Sequence, residues 1–156
     1  MTTLHLGVID VPYANYPTKS GGRKNKKVQS GTQTTGDVAE WLENKYHVMR
    51  VFYELHKSDI DQVLSDVLRR SFSEALATGR TPKFDMREAM DVLEKMFRRF
   101  IDSREMERIG YHGVPTRAAI EGINHRMKDP YTGQRRPSFK DTGLYEQAFK
   151  AWMTRD

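Results

Sequence analysis

The side chains able to do chemistry are few and poorly spaced for it. Five histidines, His5, His47, His56, His112 and His125, are scattered over 156 residues. None stands four residues from another and His-Glu-x-x-His is absent, so no helical turn offers two imidazoles to a zinc ion. The chain has no cysteine, which removes thiolate catalysis, disulfides and cysteine-ligated zinc. Its carboxylates fall mostly beside Lys or Arg on the polar sides of helical patterns, as on a solvated face. Gly-x-Gly-x-x-Gly, the P-loop and Gly-x-Ser-x-Gly are missing too. We therefore expect no catalytic residue, no metal and no cofactor; the chain reads as non-enzymatic.

Positive charge is the remaining chemical asset, and it is unevenly placed. Residues 12–36 carry Lys19, Arg23, Lys24, Lys26 and Lys27 and no acid. Residues 111–140 carry Arg117, Arg126, Lys128, Arg135, Arg136 and Lys140 against Glu121 and Asp129. With a net charge of +5, the rest of the chain sums to −4. Lys19, Arg23, Lys24, Lys26, Lys27, Tyr131, Arg135 and Arg136 are the candidates for inter-subunit or DNA-facing contacts. Tyr13, Tyr16, Tyr111, Tyr131 and Phe139 lie in the same segments and are anchor types that dominate interfaces. The strong helices carry mixed charge, which argues against a basic recognition helix.

Those segments must be positioned by a helical body. Asp37 and Glu40 have capping-pair spacing, followed by Val38, Trp41, Leu42, Met49, Phe52 and Tyr53 at helical intervals, predicting a helix to about Leu55. Ser58 with Asp61 predicts a second start, leading into Ile60, Val63, Leu64, Val67, Leu68, Phe72, Ala75 and Leu76 and stopping at Gly79. Asp85 with Glu88 opens a third helix, burying Met86, Ala89, Met90, Leu93, Phe97, Phe100 and Ile101. A weaker helix follows Thr116, using Ala119, Ile120 and Ile123 before Gly122 weakens it. Residues 4–11 alternate weakly, as a short strand or an extended arm. Residues 18–36, poor in apolar side chains, read as a loop, and residues 128–137 as a second one.

At the C-terminal end, Pro137 favours an extended Arg136, and Asp141 is placed to cap a helix whose stripe is Leu144, Ala148, Phe149 and Trp152. If Trp152 is buried in that helix, its truncation costs roughly 3–5 kcal/mol. Asp-Thr-Gly also marks aspartic proteases, but there it sits in a β-loop with a second aspartate, whereas here it opens a helix.

The segment Arg136-Pro137-Ser138-Phe139-Lys140-Asp141-Thr142-Gly143-Leu144-Tyr145 resembles the Asp-Thr-Gly-Leu signature of tailed-phage neck and tail-completion proteins, the virion-morphogenesis group. Gly113–Arg117, Asn124–Arg126, Thr35–Ala39 and Tyr46–Met49 resemble segments of that group as well, so the likeness covers roughly residues 35–152. It implies a structural subunit of a tailed-phage virion: a ring at the head–tail neck, acting in tail completion, as a tail terminator or as a connector. Pro137, Phe139, Asp141, Thr142, Gly143 and Leu144 are the motif segment. The partners implied are further copies of itself, neighbouring neck, portal or tail proteins, and non-specific genomic DNA in the channel. The alternative is a non-enzymatic nucleic-acid-binding or packaging accessory protein.

The expected architecture is mainly α, a compact bundle of three to five helices with one or two short strands. It divides into an arm and basic loop over 1–36, a helical core over 37–110, and a basic loop with a C-terminal helix over 111–156. With 30% charged and 37% apolar residues, no run approaches the roughly 18–20 apolar residues of a membrane span. The first residues lack a basic and then apolar secretory pattern. A virion protein assembled in the host cytoplasm is the expectation.

Overall fold

The computed structural model describes residues 2–13, 33–124 and 133–155. In chain order these form β1 (Thr2–Val8), α1 (Thr35–Tyr46), α2 (Val48–Thr78), α3 (Arg87–Asp102), α4 (Glu105–Arg108), α5 (Arg117–Glu121), α6 (Leu144–Ala148) and β2 (Phe149–Arg155). The fold is mainly α with one two-stranded antiparallel sheet, the expected class with different internal boundaries.

α1 starts three residues earlier than its spacing predicts. Thr34 is the N-cap, its hydroxyl accepting from Asp37 N (3.3 Å) while Thr34 N donates to Asp37 Oδ2 (2.9 Å). Asp37 is therefore the third residue of a reciprocal capping box, not the cap itself. α1 ends at His47, which turns left-handed (φ 51°) and donates its backbone N–H to Glu43 O. α2 begins on the next residue. The Glu43 carboxylate reaches across this break and accepts from Met49 N (2.8 Å) and Arg50 N (3.4 Å), so an α1 side chain satisfies the free donors that open α2.

The predicted break at Ser58 does not occur. Ser58 and Asp61 lie inside a 31-residue α2 whose buried positions, Val48, Val51, Phe52, Ile60, Val67 and Ser71, continue through that point. A capping signature inside an unbroken apolar stripe has no free donors to satisfy. Gly79 closes α2 in the left-handed conformation (φ 66°), as its position predicts. α3 opens with the Asp85 carboxylate accepting from Arg87 N (3.1 Å) and buries Ala89, Met90, Leu93, Phe97, Phe100 and Ile101.

The C-terminal helix is the main correction. α6 has only five residues, and the chain becomes extended at Phe149. β2 then pairs antiparallel with β1, from Val8↔Phe149 to Thr2↔Arg155. Phe149 and Ala151 are buried and Met153 is half-buried, while Trp152 and Thr154 are exposed, the period-two alternation of a strand with one covered face. Phe149 stacks on Phe97 with centroids 3.9 Å apart, and Phe52 meets both rings. Fully burying such a phenyl ring contributes about 1.5–3 kcal/mol, so this aromatic cluster ties the sheet to α2 and α3.

The N-terminal stretch is equally built in. Thr35 Oγ1 donates to Ile9 O (2.6 Å) and accepts from Val11 N (2.8 Å). Tyr13, itself buried, donates its backbone N–H to Gln33 O (3.0 Å). Residues 2–13 thus belong to the body instead of to an extended arm.

Candidate functional site

The basic segment before α6 folds onto its own chain. Arg135 Nη2 lies 2.9 Å from the buried Glu107 carboxylate. Arg136 donates its backbone N–H to Ala119 O (3.0 Å) and Nη2 to Ile123 O (2.9 Å), and its guanidinium also reaches Lys140 O. Ser138 Oγ donates to Glu107 (3.0 Å) and accepts from Thr116 N (3.1 Å). Lys140 pairs with Asp102 and with Glu146, the latter at 2.9 Å. Arg136 is therefore turned inward, contrary to expectation, whereas Arg135 is paired but keeps about half of its side chain exposed. Burial of Glu107 and Glu146 inside the monomer demands compensating cations, and this segment supplies them.

Within the motif segment, Pro137 is half-buried and Phe139, at φ 68°, packs against Tyr46 with centroids 5.1 Å apart. Asp141 does not cap α6: its carboxylate lies 3.6 Å from Arg136, and its carbonyl accepts from Asn124 Nδ2 (3.0 Å). Gly143, left-handed at φ 81°, occupies the cap position, and Thr142 Oγ1 accepts from Leu144 N (3.4 Å). A glycine serves there because the chain turns through a conformation that costs other residues energy. Lys19, Arg23, Lys24, Lys26, Lys27 and Tyr131 lie outside the described residues.

Phe139 and Tyr46 form part of a cavity of about 670 Å³ between α1 and the 136–145 segment. Val38, Trp41, Leu42 and Tyr145 contribute to its apolar wall, and Tyr13 and Gln33 line it as well. Among the described lining residues, Asp37 and Asp141 are acidic and Arg136 is the single cation. The Lys45 ammonium sits 4.9 Å from the Trp41 ring centre. Trp41, expected in the core, is 55% exposed. Tyr145 is 3% exposed, and burial, with Glu43 and Tyr13 adding to it, pushes its phenol well above the ordinary tyrosine range.

The far end of α2 presents a second apolar surface. Ser71 Oγ donates to Lys83 O (2.9 Å) and Arg70 pairs with Glu88 (3.2 Å). The connection into α3 has thus come back to the level of Ser71 by residue 83, and the last two turns of α2 project past the start of α3. Phe72 is 53% and Leu76 87% exposed, with Leu68 and Phe84 also exposed; Phe84 meets Phe72 edge-on at 5.4 Å. The periodicity places Leu68, Phe72 and Leu76 in the core. They are instead uncovered, because the returning chain packs lower on α2.

His56 is the polar contact that spacing misses. Its Nε2 lies 2.8 Å from Glu105 and its Nδ1 3.4 Å from Asp59, against the rings of Phe52 and Phe100. Ser103 Oγ donates to Glu105 (3.0 Å), so the hydroxyl and imidazole share a carboxylate without forming a nucleophile–base pair. The contact joins α2 to α4, 49 residues on, beyond the reach of a local pattern. Among the described residues no group of three metal-ligating side chains converges, and no described helix is long and apolar enough to cross a membrane. Comparison with known proteins found no matching family model, no matching curated protein and no matching solved structure.

Proposed function

We propose that this chain is a structural subunit of a tailed-phage virion, assembling with further copies of itself into a ring at the head–tail neck in tail completion, tail termination or connection. The supporting observation is the projecting end of α2, where Phe72, Leu76 and Phe84 are uncovered in the monomer. Clustered apolar side chains on a rigid projecting helix mark a protein contact. The placement at a phage neck rests on the resemblance of the segment around Asp141-Thr142-Gly143. The alternative, a nucleic-acid-binding accessory, has less support because Arg135 and Arg136 are engaged by Glu107 and by backbone carbonyls.

Light scattering and negative-stain electron microscopy of the purified chain test the proposal. A closed ring of defined copy number is expected. A monomer at every concentration would refute it, and a salt-sensitive complex with random duplex DNA but no self-association would favour the alternative.

A further inference from the structure

The two uncovered apolar features sit at opposite ends of the longest helix. The cavity includes Tyr46, two residues before α2 begins. Leu76 lies 28 residues beyond Val48, about 42 Å along the helix axis at 1.5 Å per residue. One end is therefore convex, with Phe72 and Leu76 standing out. The other is concave among the described residues, with Trp41, Leu42, Tyr46 and Phe139 lining a cavity of about 670 Å³.

Charge matches shape. Around the knob Arg69 and Arg70 are paired with Asp66 and Glu88, which leaves Arg80 and Lys83 against Glu74, a net +1. α1 carries Asp37, Glu40 and Glu43 against Lys45, a net −2, and Asp37 stands in the cavity wall beside the Arg136–Asp141 pair. A basic apolar knob and an acidic apolar socket on one molecule, separated along its long axis, cannot satisfy each other within that molecule. They can between copies.

We infer that the contact between neighbouring subunits is head-to-tail: the Phe72–Leu76 end of α2 of one copy seats in the Trp41–Tyr46–Phe139 cavity of the next. This inference rests on the self-assembling reading above and names the surfaces it uses. Such a contact is heterologous, so an open chain of copies keeps one free knob at one end and one free socket at the other until the ring closes. The aromatic wall supplies the apolar area that anchors interfaces, and the acidic side of α1 attracts Arg80 and Lys83 beside the knob.

Two exposed positions test it without disturbing the core: Leu76→Glu on the knob and Trp41→Glu in the socket. Circular dichroism and melting should match the wild type; if either variant fails that control, Leu76→Ser or Trp41→Ser replaces it. Each variant alone should be monomeric by light scattering. Mixed together they should form a 1:1 pair, because the intact knob of the Trp41→Glu chain enters the intact socket of the Leu76→Glu chain. In a Trp152→Phe background Trp41 is the only tryptophan, and its emission should shift to the blue on assembly and return on dilution.

A variant that still assembles like the wild type, or two monomeric variants that do not pair, would overturn the inference while leaving the ring reading intact. A wild type that remains monomeric, with Trp41 emission independent of concentration, would overturn both.

Discussion

His5 and Trp152 face each other across β1 and β2, with ring centroids 5.3 Å apart and planes 12° from parallel. The stack lies on the outer face of the sheet, and the indole extends over Gly7, where an added Cβ would lie 2.9 Å from the ring. Trp152 is 44% exposed, so its truncation loses a cross-strand pair and part of its burial, not a core anchor. We expect Trp152→Ala to cost about 1 kcal/mol in urea denaturation, well below the loss expected of a buried helix residue. Gly7→Ala should push the ring aside and weaken the same contact, so the double variant should lose less than the two single losses added.

The difference between strand and helix at residues 149–155 shows where local reading stops. Leu144, Ala148, Phe149 and Trp152 fit a helical stripe, yet Phe149, Ala151 and Met153 fit an alternating strand equally well over so short a span. What decides between them is β1, almost the full chain length away, which offers Leu4, Leu6 and Val8 to the same core. α3 was legible because Ala89, Leu93, Phe97 and Phe100 repeat over about three turns. The boundary between α1 and α2 was not: the expected helix to Leu55 breaks at His47, and the expected start at Ser58 is absent. The cavity was not, because Trp41 and Phe139 come together only through tertiary packing of residues almost a hundred apart. Nor was the projecting knob, since periodicity shows which face is apolar and not how far a partner helix extends.

Gly122 ends α5 at φ 67°, with the backbone of Gln134 laid directly over it. A Cβ there would lie 2.5 Å from Gln134 O and 2.6 Å from Gln134 N. Gly122→Ala should therefore destabilise by roughly 3 kcal/mol, left-handed strain and overlap combined. Gly79→Ala, also left-handed but in open space, should cost about 1 kcal/mol from conformation alone. Paired thermal melts test this; equal losses at the two sites would contradict the close passage of residue 134.

Lys140 lies between Asp102 and the buried Glu146, and its pKa is raised above 10.5, first by the hydrogen bond to Asp102 and then by Glu146. A cation with a raised folded-state pKa contributes in full below the unfolded value and loses that contribution as pH climbs through the folded one. The Tyr145 phenol, kept neutral by burial, acts in the same direction above pH 10. Stability should hold from neutral pH to about 10 and then fall. Lys140→Met should cost about 2 kcal/mol at pH 7 by leaving Glu146 buried without its cation, less than a fully buried pair because Lys140 is a third exposed. The loss should shrink above pH 10.5 and in a Glu146→Gln background; a loss independent of both would assign Lys140 a packing role only.

Tyr13 and Gln33, the described residues on either side of 14–32, lie next to each other. Tyr13 N donates to Gln33 O at 3.0 Å, and Pro12 and Thr34 form an antiparallel bridge. Joining Tyr13 to Gln33 through Asn-Gly matches the two-residue connection that such a pair accepts. Shortening the closed loop from 19 residues to two should stabilise the fold by roughly 1–2 kcal/mol through reduced closure entropy. Removing residues 12–36 is a different experiment, because it also takes the Thr34 cap and both Thr35 hydrogen bonds. The excised protein keeps Trp41, Tyr46, Phe72 and Leu76, so head-to-tail association should persist, with melting temperature raised. If light scattering finds the excised protein folded but monomeric, Lys19, Arg23, Lys24, Lys26 and Lys27 hold the neighbour instead, and the apolar knob is not the contact that builds the ring.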